Sequence, residues 1–240
     1  MKISVIIPAY NEEKTIIPVL DLLLEQVRDL GEIIIIDDGS RDKTGEICRQ
    51  YESQHSLVHY YLQPKNMGKT EALKEGFRRS TAEIVIVQDA DLEYVPAEIN
   101  DVVAPIQAGK ADVVLGSRFL KQGTSQSKYL QHFLANQVIT LFSNLLTGLK
   151  LTDVETCYKA FRGEIIRNMI ITSERFGFEV EVMAKIAKLK CRVLEAAISY
   201  HGRSYQEGKK IGFKDGLMAL AYILKYNLFT SKKASFKSLP

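Results

Sequence analysis

Three short apolar runs, rich in Ile and Val, each lead straight into a polar cluster, and this pattern constrains the chain more than any other feature. Ile3-Ser-Val-Ile-Ile7 leads to Pro8-Ala-Tyr-Asn-Glu12, and Glu32-Ile-Ile-Ile-Ile36 to Asp37-Asp-Gly-Ser40. Glu83-Ile-Val-Ile-Val87 leads to Gln88-Asp-Ala-Asp-Leu-Glu93, and a fourth run, Asp112-Val-Val-Leu115, to Gly116-Ser-Arg118. Continuous runs this short read as strands covered on both faces, as in a mostly parallel sheet. Helical patterns over 12–29, 42–53, 69–80 and 96–108 fall between them. Strand and helix in alternation predict an α/β chain with helices flanking a central sheet.

After about residue 120 the rhythm changes. Residues 121–128 read as a polar loop. The stretch from Phe133 to Leu149 then runs 17 residues without a formal charge, with Leu134, Val138, Leu141, Leu145 and Leu149 along one helical face. A second apolar stretch, 216–229, is flanked by Lys209, Lys210, Lys214 and Lys225. Helices over 131–148 and 212–228 fit either a core or a membrane interface. No stretch is long and apolar enough to predict a spanning helix. Residues 231–240 read as a disordered Lys/Ser-rich tail. At 240 residues the expectation is one domain over 1–230, with a nucleotide-binding half (1–120) and an acceptor half (121–230).

The net charge of +3 is too small for a general nucleic-acid binder. It is uneven: residues 201–240 hold 8 Lys/Arg against 2 acids (+6), leaving 24 against 27 (−3) elsewhere. A basic end points to an anionic partner such as a phosphate or a membrane surface. Three widely spaced cysteines suggest neither a disulfide framework nor a zinc site, which fits a reducing cytoplasmic setting.

Asp89 and Asp91, at i and i+2 just past a strand, can face one cation, and such oxygens suit Mg²⁺ or Mn²⁺. An isolated Asp-x-Asp is also a common turn. Asp37-Asp38-Gly39-Ser40 fits a turn with Ser40 or Asp42 capping the next helix, or a carboxylate for a nucleobase or ribose. Pro8 is expected to stop its strand and Asn11 to begin a helix, while Tyr10 could stack on a base. Gly68-Lys69-Thr70 mimics a phosphate-binding loop, but the required earlier Gly is Gln63. The strand-end clusters at 8–12, 37–40 and 89–93 are expected to meet on one sheet edge, where open α/β sheets bind ligands.

Taken in order with Asn66-Met-Gly-Lys-Thr-Glu-Ala72, these motifs resemble family 2 glycosyltransferases of the GT-A fold, the Rossmann-like nucleotide-diphospho-sugar transferases. Their spacing is most similar to the branch of dolichyl-phosphate mannose synthases and bacterial polyprenyl-phosphate glycosyltransferases. The resemblance implies a metal-dependent inverting enzyme that moves a hexose from GDP-mannose or UDP-glucose to a polyprenyl phosphate, peripherally on the cytoplasmic face of a membrane. By that resemblance Pro8, Ala9, Tyr10, Glu12 and Asp38 hold the base and ribose. Asp89, Ala90 and Asp91 lie along the donor, and Asp89, Asp91 and Glu93 hold the metal. Arg118 is placed near the sugar and the acceptor phosphate, and Arg203 and Lys209 on the donor phosphates. Asp89, Asp91, Arg118 and Arg203 form the implied catalytic set. The chain departs from the mannose synthases at Glu93, where those often have Gln, and at Gln131 and His132, where those place a basic residue.

A phosphate acceptor is already an anion and needs no base, whereas a hydroxyl acceptor does. Asp153 or Glu155 is the candidate base for that alternative. The processive branch is set aside because the chain has no Trp. A non-catalytic nucleotide-sugar binder is the remaining alternative.

Overall fold

The computed structural model describes residues 1–121, 130–174, 177–202 and 213–238. The apolar runs form strands β1 (Ile3–Ala9), β2 (Leu30–Asp37), β4 (Ile84–Val87) and β5 (Val113–Ser117). Three further strands, β3 (Val58–Leu62), β6 (Lys159–Arg162) and β7 (Val193–Ala197), complete one seven-stranded sheet of order β3-β2-β1-β4-β6-β5-β7. β6 pairs antiparallel with β4 and β5, while the other pairings are parallel. The second half of the chain thus inserts β6 between two strands of the first half, so both halves share one sheet.

Helices α1 (Ile16–Gln26), α2 (Thr44–Gln54), α3 (Lys69–Arg79) and α4 (Ile99–Gln107) follow the strands as the periodicity predicts. The second half adds α5 (Leu130–Thr147), α6 (Gly163–Asn168), α7 (Phe178–Leu189), α8 (Phe213–Leu228) and α9 (Lys232–Ser235). The central strands are buried on both faces, which explains their unbroken Ile and Val content. β6 and β7 escape sequence reading because they are four and five residues long and mix charged with apolar residues.

Three local expectations need correcting. The strand runs through Pro8, which sits opposite Ile36. The Ile6 carbonyl accepts the Gln88 amide on the β4 side, and alternation turns Pro8 to that side, where β4 has ended. The missing N–H therefore breaks no ladder bond. Asn11 is not a helix cap; it has φ 55° and its Oδ1 accepts the Arg41 amide, tying the first strand-end loop to the second. Residues 231–236 are not a free tail, because α9 is capped by Ser231, and Phe236 is buried and bridges to Met169.

α5 is turned opposite to a core helix. Its polar residues Asn136, Thr140 and Ser143 are buried, while Leu134, Val138, Leu141 and Leu145 are exposed, the last two at 72% and 74%. Asn136 donates to Asp153, and Thr140 Oγ1 accepts the Val154 amide. Among the described residues no helix is long and apolar enough to cross a membrane.

Candidate active site

Parallel strands deliver their carboxyl ends to one edge of a sheet. Here that edge receives the residues after β1, β2, β4 and β5, and the start of the reversed strand β6. The predicted convergence of 8–12, 37–40 and 89–93 follows directly, and Arg118 and Lys159 join it from the other half of the sheet.

The second loop is built on its own acids. Asp37 accepts the Ser40 amide and the Tyr60 hydroxyl. Asp38 accepts the amides of Met67 and Gly68 at 2.6 and 2.8 Å, one on each oxygen. Gly39 at φ 71° and Gly68 at φ 96° adopt a backbone that favours glycine, and a Cβ on Gly39 would lie 2.7 Å from the Lys65 carbonyl carbon. Asp38 therefore organises the turn before α3, and burial raises its pKa. In the first loop Ala9 is buried and its carbonyl accepts the Asp38 amide, so Pro8 and Ala9 continue the strand up to Tyr10. Glu12 accepts the Thr15 hydroxyl, which also reaches the Ala90 carbonyl and joins this loop to the third.

In the third loop Lys69, the first residue of α3, places Nζ 2.8 Å from Asp89 Oδ1 and 3.8 Å from Glu179 Oε1. Burial opposes charge on both partners, yet each holds the other ionised, with Lys69 well above and Asp89 below its ordinary pKa. Asp91 Oδ1 accepts the Glu93 amide, and Glu93 Oε2 accepts the Tyr200 hydroxyl at 3.2 Å. Among the described residues no three His, Cys, Asp or Glu side chains are gathered as a ready metal cage. The donor chemistry nonetheless fits a hard divalent ion, because Asp89 and Asp91 offer carboxylate oxygens at a strand end, and Asp89 already holds one cation, Lys69.

Arg118 donates its fork to Asp153, with Nε on Oδ2 and Nη2 on Oδ1, both at 2.7 Å. Asp153 is 0% exposed and accepts a further bond from Asn136 of α5. Burial opposes its charge, but Arg118 holds its pKa below the ordinary carboxylate value. The contact is bidentate, and a carboxylate so held is a poor base. Glu155 differs: burial, then Glu179, pushes it up to about 8.

Lys69, Glu179 and Lys159 also gather at this edge, although the motifs that contain them assign them no role. Arg203 and Lys209 lie outside the described residues.

Glycosyl transferase family 2 matches residues 4–170. An undecaprenyl-phosphate mannosyltransferase of Micrococcus luteus is 28% identical over 88% of this chain and 88% of its own length. An undecaprenyl-phosphate 4-deoxy-4-formamido-L-arabinose transferase of Pseudomonas fluorescens is 31% identical over 84% of this chain, which spans 59% of that relative. In fold, the chain resembles the Mycobacterium tuberculosis glucosyl-3-phosphoglycerate synthase solved with Mn²⁺, UDP and phosphoglyceric acid. That likeness has TM-score 0.71 at 20% identity and covers 96% of this chain and 80% of that one.

Proposed function

The chain belongs to glycosyl transferase family 2, and from that premise we propose that it transfers a hexose, with inversion, from a nucleotide sugar to a polyprenyl phosphate at a membrane surface. The relatives named for undecaprenyl-phosphate transfer support the acceptor class. GDP-mannose and UDP-glucose are the donors to test. Residues 1–120 supply the donor loops, and 121–230 supply the acceptor face.

Asp89 and Asp91, with Glu93, would hold a Mg²⁺ or Mn²⁺ ion, which would supply positive charge to offset the negative charge developing on the leaving diphosphate. Lys69 adds a second cation from the N-terminus of α3, where backbone amides also favour an anion. Asp153 fixes Arg118 beside the end of β5 so that its charge faces the acceptor without rotamer freedom.

One observation carries the choice of acceptor: Asp153, a candidate base for a hydroxyl, is locked onto Arg118. Glu155, the other candidate, is pushed up to about 8 by burial and Glu179, so most of it already carries a proton at neutral pH. A phosphate acceptor, already anionic, needs neither. The outward leucines of α5 and Leu217, Leu224, Leu228 and Phe229 on and after α8 leave exposed apolar area on two contacting helices, with Lys225 on the second. That combination suits the interface of an anionic membrane, where apolar area and lysines act together.

The test is transfer of labelled sugar from GDP-mannose or UDP-glucose to undecaprenyl phosphate in vesicles, with phosphoglyceric acid as the soluble control. A labelled lipid product supports the reading. Labelling of the soluble acceptor alone overturns it.

A further inference from the structure

The loop that carries Asp89, Asp91 and Glu93 is held at both ends by tyrosine hydroxyls. At its start Tyr158, which is fully buried, donates to Gln88 Oε1 at 2.6 Å, and Gln88 Nε2 donates on to the Asp89 carbonyl. At its end Tyr200 donates to Glu93 Oε2 at 3.2 Å, and the His201 amide donates to the Glu93 carbonyl at 2.8 Å. Tyr94 is buried next to both, and its hydroxyl accepts the Cys157 amide. The three rings form one row, with centroids 4.9 Å apart from Tyr158 to Tyr94 and 5.3 Å from Tyr94 to Tyr200. Tilted rings at such separations attract one another, so the row is stiff.

Tyr200 ends this row and reaches out of it. The Arg118 guanidinium carbon lies 5.0 Å from the centre of its ring, within the range of a cation–π contact. Arg118 already gives its fork to Asp153, so the ring supports the same guanidinium from a second direction. The ring itself has little room to turn. A Cβ built on Gly202 would stand 2.8 Å from one of its edge carbons, because the backbone there lies against the tyrosine.

One side chain therefore touches an acid of the 89–93 loop through its hydroxyl and the acceptor-side arginine through its face. Both contacts restrain groups that are otherwise floppy. A glutamate has three rotatable bonds, and a donor on one oxygen fixes which oxygen is left to face a cation. An arginine is longer still, and contacts at its fork and its face together fix the plane of the guanidinium. We infer that Tyr200 is a positioning residue for both halves of the reaction: its hydroxyl aims Glu93 at the metal, and its ring aims Arg118 at the acceptor. This rests on the transferase reading of the site.

The test is calorimetric titration of Mn²⁺ into the full chain, Tyr200→Phe and Tyr200→Leu, each saturated with UDP and separately with GDP, together with the acceptor KM for undecaprenyl phosphate in vesicles. Phe keeps the ring and loses only the hydroxyl. Its Mn²⁺ Kd should weaken about tenfold, the scale of removing the partner that orients a metal ligand, with an acceptor KM within about twofold of wild type. Leu loses the face as well, so its Mn²⁺ Kd should weaken alike while its acceptor KM rises about fivefold or more. Mn²⁺ binding as tight in Tyr200→Phe as in wild type would reduce the hydroxyl to packing and overturn the inference. An acceptor KM raised equally in both variants would overturn it too, because the ring would then have no part of its own. Neither result touches the transferase reading, since wild type still binds Mn²⁺ with a nucleoside diphosphate and labels the lipid. Wild type that binds no Mn²⁺ with either diphosphate and labels no lipid overturns both.

Discussion

Lys69 Nζ and Asp89 Oδ1 are 2.8 Å apart, joining the first turn of α3 to the loop after β4. A cation thus stands on the acid expected to hold a metal. The acid is kept ionised and pointed, and the pair places two opposite charges at the edge where a diphosphate would leave.

Lys69→Met removes the cation while keeping the length of the stem. Turnover at saturating donor is expected to fall about 100-fold or more, the cost of losing one charge aimed at a developing anion. A near wild-type rate would remove Lys69 from the mechanism.

Asp91→Ala should abolish turnover and Mn²⁺-dependent donor binding without unfolding the chain. Calorimetry with and without EDTA reads the binding, and far-UV circular dichroism reads the fold. Full activity would sink the assignment of the 89–93 loop.

Asp153→Asn leaves Arg118 facing a neutral partner in a buried setting. Breaking one side of such a pair costs about 3–5 kcal/mol, so Tm should fall by roughly 10 °C. An unchanged Tm would show that Arg118 finds another partner and that the pair does not hold the acceptor side together.

Glu155 gives the stability curve a sign. Its pKa is raised from 4.5 to about 8 by burial and by Glu179, so between those values the folded state holds a proton that the unfolded state has lost. Stability from this group therefore falls as pH rises through that window. The Tm advantage of Glu155→Gln over wild type should grow from pH 5 to pH 8 and then level off. A difference independent of pH would show that Glu155 is not the titrating group.

Leu141 and Leu145 are exposed on the outer face of α5. Replacing both with Glu should leave Tm within a few degrees of wild type and reduce co-sedimentation with anionic vesicles at low salt. Unchanged pelleting would separate membrane contact from this face.

The alternation of buried runs with helical patterns identified the α/β fold, and four strands and the first four helices lie where periodicity put them. That part is local: a run of Ile and Val has few ways to hide except inside a sheet. The same logic placed 8–12, 37–40 and 89–93 together, because parallel strands end on one edge. Side-chain partnerships were another matter. Asp38, which the resemblance places on the donor, accepts the Met67 and Gly68 amides, one on each oxygen. Arg118, which it places near the acceptor phosphate, donates its fork to Asp153, 35 residues away.

The sequence alone determined four of the seven strands, which loops carry acids and where those loops gather, since each follows from periodicity and strand direction within short stretches. Only the tertiary structure decided what those acids meet. β6 enters the sheet reversed between β4 and β5, bringing Asp153, Glu155 and Lys159 to the edge. α7 brings Glu179 to Lys69, and α5 turns its polar side inward to Asp153 and its leucines outward. Each is a pairing between distant segments. Charge, burial and hydrogen bonding there depend on neighbours that no local pattern specifies.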